Sequence, residues 1–129
     1  MPVTAAAEKV AACVARGAYK SVKDGSKHRG VCGETKTDDE GNCSATGPQP
    51  HKGSWERSNR TKVQTLKNCL QACRCCAACR FISFSKHPSH NECSWYHECD
   101  LRNLLQAHGD YVTVQVRHDG KDLRRLLAA

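Results

Sequence analysis

Residues 68–85 read NCLQACRCCAACRFISFS. Five cysteines fall between Cys69 and Cys79, and an alternating aromatic strand pattern follows at once. Such a cluster has three readings: a metal site, a redox site or a disulfide framework. Each puts the chain in a different compartment with a different task.

Around the cluster, Val63, Leu66, Leu70, Cys73 and Ala77 recur at helical spacing, which predicts a helix over residues 63–78. Cys69 and Cys76 flank that stripe, and Cys75 points elsewhere. From Cys79 onward the period changes to that of strands. RFISFS, ECSWYH and YVTVQVR each carry β-branched or aromatic residues in partial alternation. KHPSHN, with Pro88 at its centre, turns the first into the second.

Upstream, residues 4–23 predict an alanine-rich helix capped near Thr4, with Val10, Cys13, Val14 and Ala18 as a weak apolar stripe. Gly17 is the weakest helix former within it. Residues 24–62 are dense in Gly, Ser, Asn, Asp and Pro and read as mostly irregular. A loop of that length is uncommon in a compact domain. Cys32 and Cys43 would pin it, with short strands around Val31 and Trp55. Residues 101–109 predict a brief helical connection. Residues 119–129 read as a tail, a linker or a short helix.

The 129 residues amount to about one small domain. The aromatics are only Phe81, Phe84, Trp55, Trp95, Tyr19, Tyr96 and Tyr111, so the core is modest. Ten cysteines approach the density of a disulfide scaffold. Such staples add roughly 2–4 kcal/mol each. The formal charge of +7 favours an acidic partner, although Lys and Arg are scattered as on any solvated surface. No stretch approaches the ~18 apolar residues of a membrane span. Glu8 and Lys9 interrupt the N-terminal apolar run, which therefore does not read as a signal peptide. An oxidised chain of this kind is expected to be a piece of something larger.

For zinc, Cys76 and Cys79 form one C-x2-C knuckle, but Cys93 with Cys99 and Cys32 with Cys43 are too widely spaced to form a second. His87 and His90 stand too close together for the usual zinc-finger pair. For redox chemistry, the knuckle lies at a helix end and lacks the N-terminal dipole that lowers a thiol pKa. The even count, thin core and long loop favour disulfides. Asn42-Cys43-Ser44 and Asn59-Arg60-Thr61 are glycosylation acceptor triplets and add a little to that reading.

The pattern Leu66-x2-Cys69-x3-Cys73-x5-Cys79-Arg80-Phe81-Ile82-Ser83-Phe84, then Cys93-Ser94-Trp95-Tyr96, then Cys99-Asp100-Leu101, resembles the PAN/apple domain. The closing strand YVTVQV is similar to that family's last strand, and the likeness covers residues 31–117. The order CG, GNC, GSW, helix, CRFISFS and CSWYHECDL is similar to a cysteine-rich variant seen in algal and protist proteins. The resemblance implies an α+β fold: a small disulfide-rich domain with one central helix packed on a curved antiparallel sheet. It implies Cys73 paired with Cys79, Cys69 with Cys93, and Cys99 with either Cys32 or Cys43. Cys13, Cys75 and Cys76 exceed the family pattern and are left unassigned, with a bridge to another chain open to them. The expected organisation is an N-terminal helical extension at residues 1–28, the domain at 29–118 and a tail at 119–129.

PAN/apple domains are binding modules, so the resemblance implies a non-catalytic extracellular unit, secreted or part of a larger protein, with no cofactor and no bound metal. Its partner would be a protein or an acidic glycan. Candidate contact residues are Lys52, Arg57, Arg60 and Lys62 around Trp55, with Lys86, His87 and His90 in the turn. The alternative from a different class is an intracellular zinc-binding module that contacts nucleic acid. The charge suits it, but no nucleic-acid signature accompanies the charge, so nucleic acid is the less favoured partner. No paired-carboxylate motif, phosphate loop or nucleophile elbow points to an enzyme.

Overall fold

Alternation of apolar and hydroxyl side chains builds the sheet of this protein. The computed structural model describes residues 5–17, 23–35, 39–41, 52–87, 92–106, 110–118 and 124. Two helices and five strands follow in the order α1 (Ala5–Arg16), β1 (Lys27–Arg29), β2 (Lys52–Glu56), α2 (Leu66–Arg74), β3 (Phe81–Ser85), β4 (Glu92–Tyr96) and β5 (Tyr111–Gln115). The strands form one antiparallel sheet in the order β1-β5-β3-β4-β2. The fold is a small α+β arrangement.

Period-two alternation sends Trp55, Ile82, Phe84, Cys93, Trp95 and Val114 into one buried cluster with Cys69, Ala72 and Cys73 of α2. Trp55 and Trp95 stack with centroids 6.1 Å apart. Gly53 pairs with Trp95 across β2 and β4. A Cβ at Gly53 would collide with the Glu40 carbonyl and the Trp95 indole nitrogen. Its bare backbone lets Trp95 Nε1 donate to that carbonyl at 2.8 Å.

α2 begins where Thr65 accepts a hydrogen bond from the Asn68 amide, an N-cap. Cys69 and Cys73, four residues apart, lie on one face and both are bonded to the sheet region. Cys69 joins Cys93 of β4, and Cys73 joins Cys79 just before β3. These are the partners the resemblance implies. Cys99 joins Cys32, one of the two partners left open for it. Cys75 joins Cys13 and so ties α2 to α1. Cys76 is buried in the core cluster, and Cys43 lies outside the described residues.

The expectation of a single central helix is corrected, because α1 joins the same core. Val10 is 4 % exposed within the buried cluster, and Val14 packs against it. α1 stops at Arg16 rather than running to residue 23, because Gly17 takes φ 58° and its amide bonds back to the Cys13 carbonyl. Thr4, the expected cap, lies outside the described residues. Within residues 24–62 the order is greater than the composition suggested: β1 and β2 both pair in the sheet. Val31 itself forms only an isolated bridge with Leu105. That bridge replaces the helix expected over residues 101–109 as far as the described residues run. There the Asp100 carboxylate accepts from the Arg102 amide and from Asn103 Nδ2, closing a turn. These bonds hold the exposed Asp100 carboxyl below its ordinary pKa, the Arg102 amide contributing most. The boundary expected between residues 28 and 29 falls inside β1, and of the tail only Arg124 is described.

The opposite face of the sheet is polar and yet buried. Ser54, Ser94, Ser83 and Thr113 stand in register across four strands, each 0–2 % exposed. Buried hydroxyls need partners, and residues 30–35 supply most of them. The Cys32 amide donates to Ser83 Oγ at 3.1 Å, and Thr113 Oγ1 donates to the Gly30 carbonyl at 2.8 Å. Thr35 and Ser94 share a hydrogen at 2.8 Å, and Tyr96 donates to the Gly33 carbonyl at 2.6 Å. The Cys32–Cys99 bond holds this strap down.

Two outcomes follow from this packing. Replacing Cys69 and Cys93 together by Ala is expected to cost about 2–4 kcal/mol in a denaturant titration; an unchanged midpoint would mean the staple is absent in solution. Burial pushes the Tyr96 phenol up from 10.0 to about 12. The folded chain thus holds a proton that the unfolded chain releases first. Stability from this group is complete below pH 10 and declines as the pH rises toward 12, by on the order of 2–3 kcal/mol. Comparing the alkaline unfolding of the parent with that of Tyr96→Phe checks this, and a variant with the same alkaline loss would refute it.

Candidate functional site

Cationic side chains on the strand ends and the turns beside them are the groups able to meet a ligand, and the fold sorts them into two sets. The first set lies around β2. Trp55 is 1 % exposed and belongs to the core. Arg57 reaches inward across the sheet end. Its Nη1 donates to the Ser85 carbonyl at 2.9 Å, its Nη2 to the Gln64 carbonyl at 3.3 Å, and its guanidinium lies 4.9 Å from the Phe84 ring centroid. Arg60 pairs with Glu56 at 3.2 Å. Lys62 is exposed, in a turn at φ 63°.

Lys52 sits at the far end of β2, five residues from Arg57 and so about 16 Å away along the strand. It lines a cleft of about 260 Å³ with Glu34, Thr35, Asp39 and Gly53. Two carboxylates, Glu34 and Asp39, line the same cleft. Lys86 and His87 are exposed after β3, and the His87 amide bonds Ser85 Oγ. His90 lies outside the described residues. The structure therefore spreads the expected contact residues over separate places, with the two arginines of the set engaged by the protein itself.

The second set was not singled out from the sequence. Arg80 follows Cys79 and leads into β3, while Arg117 and His118 follow β5. The register that pairs Phe81 with Gln115 brings these two chain ends side by side, and the Val116 amide donates to the Arg80 carbonyl at 2.8 Å. Arg80, Gln115, Val116, Arg117 and His118, with Ala77 from the turn after α2, line a cleft of about 240 Å³. No carboxylate is among its described lining residues. Arg80 and Arg117 are exposed. Among the described residues the ion pairs are Arg60–Glu56, Arg74–Asp24 and Arg102–Asp100, so neither cleft arginine is neutralised by one of them.

The cleft is anchored from behind. His118 Nε2 lies 2.8 Å from the Cys79 carbonyl, and His97 Nδ1 lies 2.8 Å from the Ala78 carbonyl. A carbonyl only accepts, so each of these ring nitrogens carries the hydrogen. Cys79 is in turn bonded to Cys73 of α2. The lining residues thus extend from a turn fixed both covalently and by hydrogen bonds.

The remaining cysteine chemistry is constrained by the same bonds. In the C-x2-C knuckle at Cys76 and Cys79, Cys79 is committed to Cys73. Among the described residues no group of three or more His, Cys, Asp or Glu is placed to hold a metal ion. No helix among them is long and apolar enough to cross a membrane.

The roles assigned to the arginines beside β2 separate on mutation. Arg57→Ala removes a donor from the Ser85 carbonyl and the contact with Phe84, and is expected to cost about 1–3 kcal/mol by chemical denaturation. Arg60→Ala breaks a half-exposed pair and is expected to cost no more than about 1 kcal/mol. Equal midpoints for the two variants would contradict the clamp at Arg57. Searches of protein-family models, of curated proteins and of solved structures found no match to this chain.

Proposed function

We propose that the chain is a non-catalytic binding module of the PAN/apple kind that works outside the cell or in an oxidising compartment and engages a protein or an acidic glycan. The observation that carries this reading is the covalent framework. Cys69–Cys93 and Cys73–Cys79 fasten α2 to the sheet, Cys13–Cys75 fastens α1 to α2, and Cys32–Cys99 fastens the strap to the other face. Disulfides at this density persist in oxidising surroundings and are rare where thiols are kept reduced.

The cysteine pattern that resembles the PAN/apple domain supports the same reading. So does the formal charge of +7, since it favours acidic partners. The framework spends its chemistry on rigidity, and a rigid scaffold loses less entropy when its surface side chains meet a ligand.

Reduction separates a folded binding surface from mere basicity. The oxidised chain is expected to be retained on a column of heparin, used as an acidic-glycan probe. The reduced and alkylated chain, with the same arginines and lysines, is expected to elute at distinctly lower salt. Equal retention of both forms would mean that charge alone binds, and would overturn the proposal of a folded glycan-binding module.

A further inference from the structure

We infer that the cleft between the start of β3 and the end of β5 is the subsite that receives one oxyanion-bearing sugar unit of an acidic glycan. This rests on the binding-module reading above. Three observations converge on it.

The described lining is basic and polar. Arg80, Arg117 and His118 line the cleft with the Gln115 amide, and no Asp or Glu is among its described lining residues. This contrasts with the cleft beside Lys52, whose lining includes Glu34 and Asp39. The donor type is also suited. A guanidinium offers a planar fork of N–H donors that meets a sulfate or carboxylate through two parallel bonds. Arg57, Arg60 and Arg74 give their forks to the protein. Arg80 and Arg117 remain exposed and outside the ion pairs among the described residues.

The size selects the class of ligand. A cleft of about 240 Å³ falls below the roughly 300–1,000 Å³ of pockets that enclose a whole drug-sized molecule. It takes one charged unit of a longer chain, and the rest of that chain runs over the surface. The backing through Cys79, to His118 by a hydrogen bond and to Cys73 by a disulfide, holds the lining in place before the ligand arrives. A sulfate ester and a uronic acid carboxylate share this recognition chemistry, and the probes below tell them apart.

The test measures affinity for heparin and for polygalacturonate, the second carrying carboxylates without sulfate. Three oxidised chains are compared: the parent, Arg80→Ser with Arg117→Ser, and Lys52→Ala with Lys62→Ala. The two double variants lose the same formal charge. The cleft variant is expected to weaken binding by about tenfold for each arginine lost, with the lysine variant staying close to the parent. Binding of heparin alone assigns the subsite to sulfate, and binding of polygalacturonate as well assigns it to either oxyanion.

Because Arg80 adjoins Cys79, unfolding of the cleft variant is checked by its thermal midpoint. Arg80→Lys with Arg117→Lys supplies a second reading that keeps the charge and removes the fork, and an intermediate affinity is expected. If the parent binds and the cleft and lysine variants weaken equally, the cleft assignment is overturned while the binding module stands. Displacement of bound heparin by a DNA oligonucleotide of equal charge, as efficiently as by heparin itself, would overturn the sugar assignment. A parent that binds neither glycan would overturn the glycan reading as a whole.

Discussion

The bond between Cys69 and Cys93 is the constraint on which the other contacts depend. It joins a nine-residue helix to an inner strand whose Cα lies 5.8 Å away. A helix that short is marginal by itself. Its apolar face is narrow, with cysteine and alanine where larger domains use leucine. Fixing it on β4 lets Ala72 and Cys73 seal the cluster around Trp55, Trp95, Ile82 and Phe84. Cys73–Cys79 then sets where β3 begins, and Cys75 is turned away from the sheet toward Cys13 of α1. One helix thus directs three covalent links, each to a different part of the chain.

The sheet has two buried faces closed by different physics. On the helix side, burial of aromatic and aliphatic surface does the work. On the other side a row of hydroxyls is covered by a backbone strap, and hydrogen bonds replace apolar contact. Each bond contributes a modest net amount, but leaving one of these buried groups unpaired would cost more than the bond contributes. The arrangement therefore fixes the register of the strap and of β2, β4, β3 and β5 together. It also explains how a chain with so few large side chains covers both faces of its sheet.

The cluster of basic groups at the start of β3 and the end of β5 depends on that register. Arg80 and Arg117 are 37 positions apart in the sequence (117 less 80), and each by itself is an ordinary charged residue next to a strand. Antiparallel pairing places Phe81 opposite Gln115 and so brings them to one cleft. The arginines beside Trp55 show the converse. Neighbours in sequence, they are drawn into separate local bonds, because Arg57 lies over Phe84 and Arg60 meets a carboxylate four residues back. Proximity along a chain is a poor guide to a shared surface when each side chain finds its own partner within the fold.

What the sequence by itself determined is local and covalent. The helical spacing around Cys69 and Cys73 and the strand periods of β3, β4 and β5 follow from side-chain geometry within a few residues. The number of cysteines and the thin supply of aromatics made a disulfide framework the economical fold, and the family-like spacing carried the pairs Cys69–Cys93 and Cys73–Cys79. Only the tertiary structure decided the rest. It joined Cys13 to Cys75 and so drew α1 into the core, and it chose Cys32 as the partner of Cys99. It buried Ser54, Ser83, Ser94 and Thr113, residues whose polarity reads as surface until a strap of backbone covers them. The reason is common to all three. Long-range partners are selected by strand order and register, which arise from the packing of the whole sheet and leave no mark in any single stretch of residues.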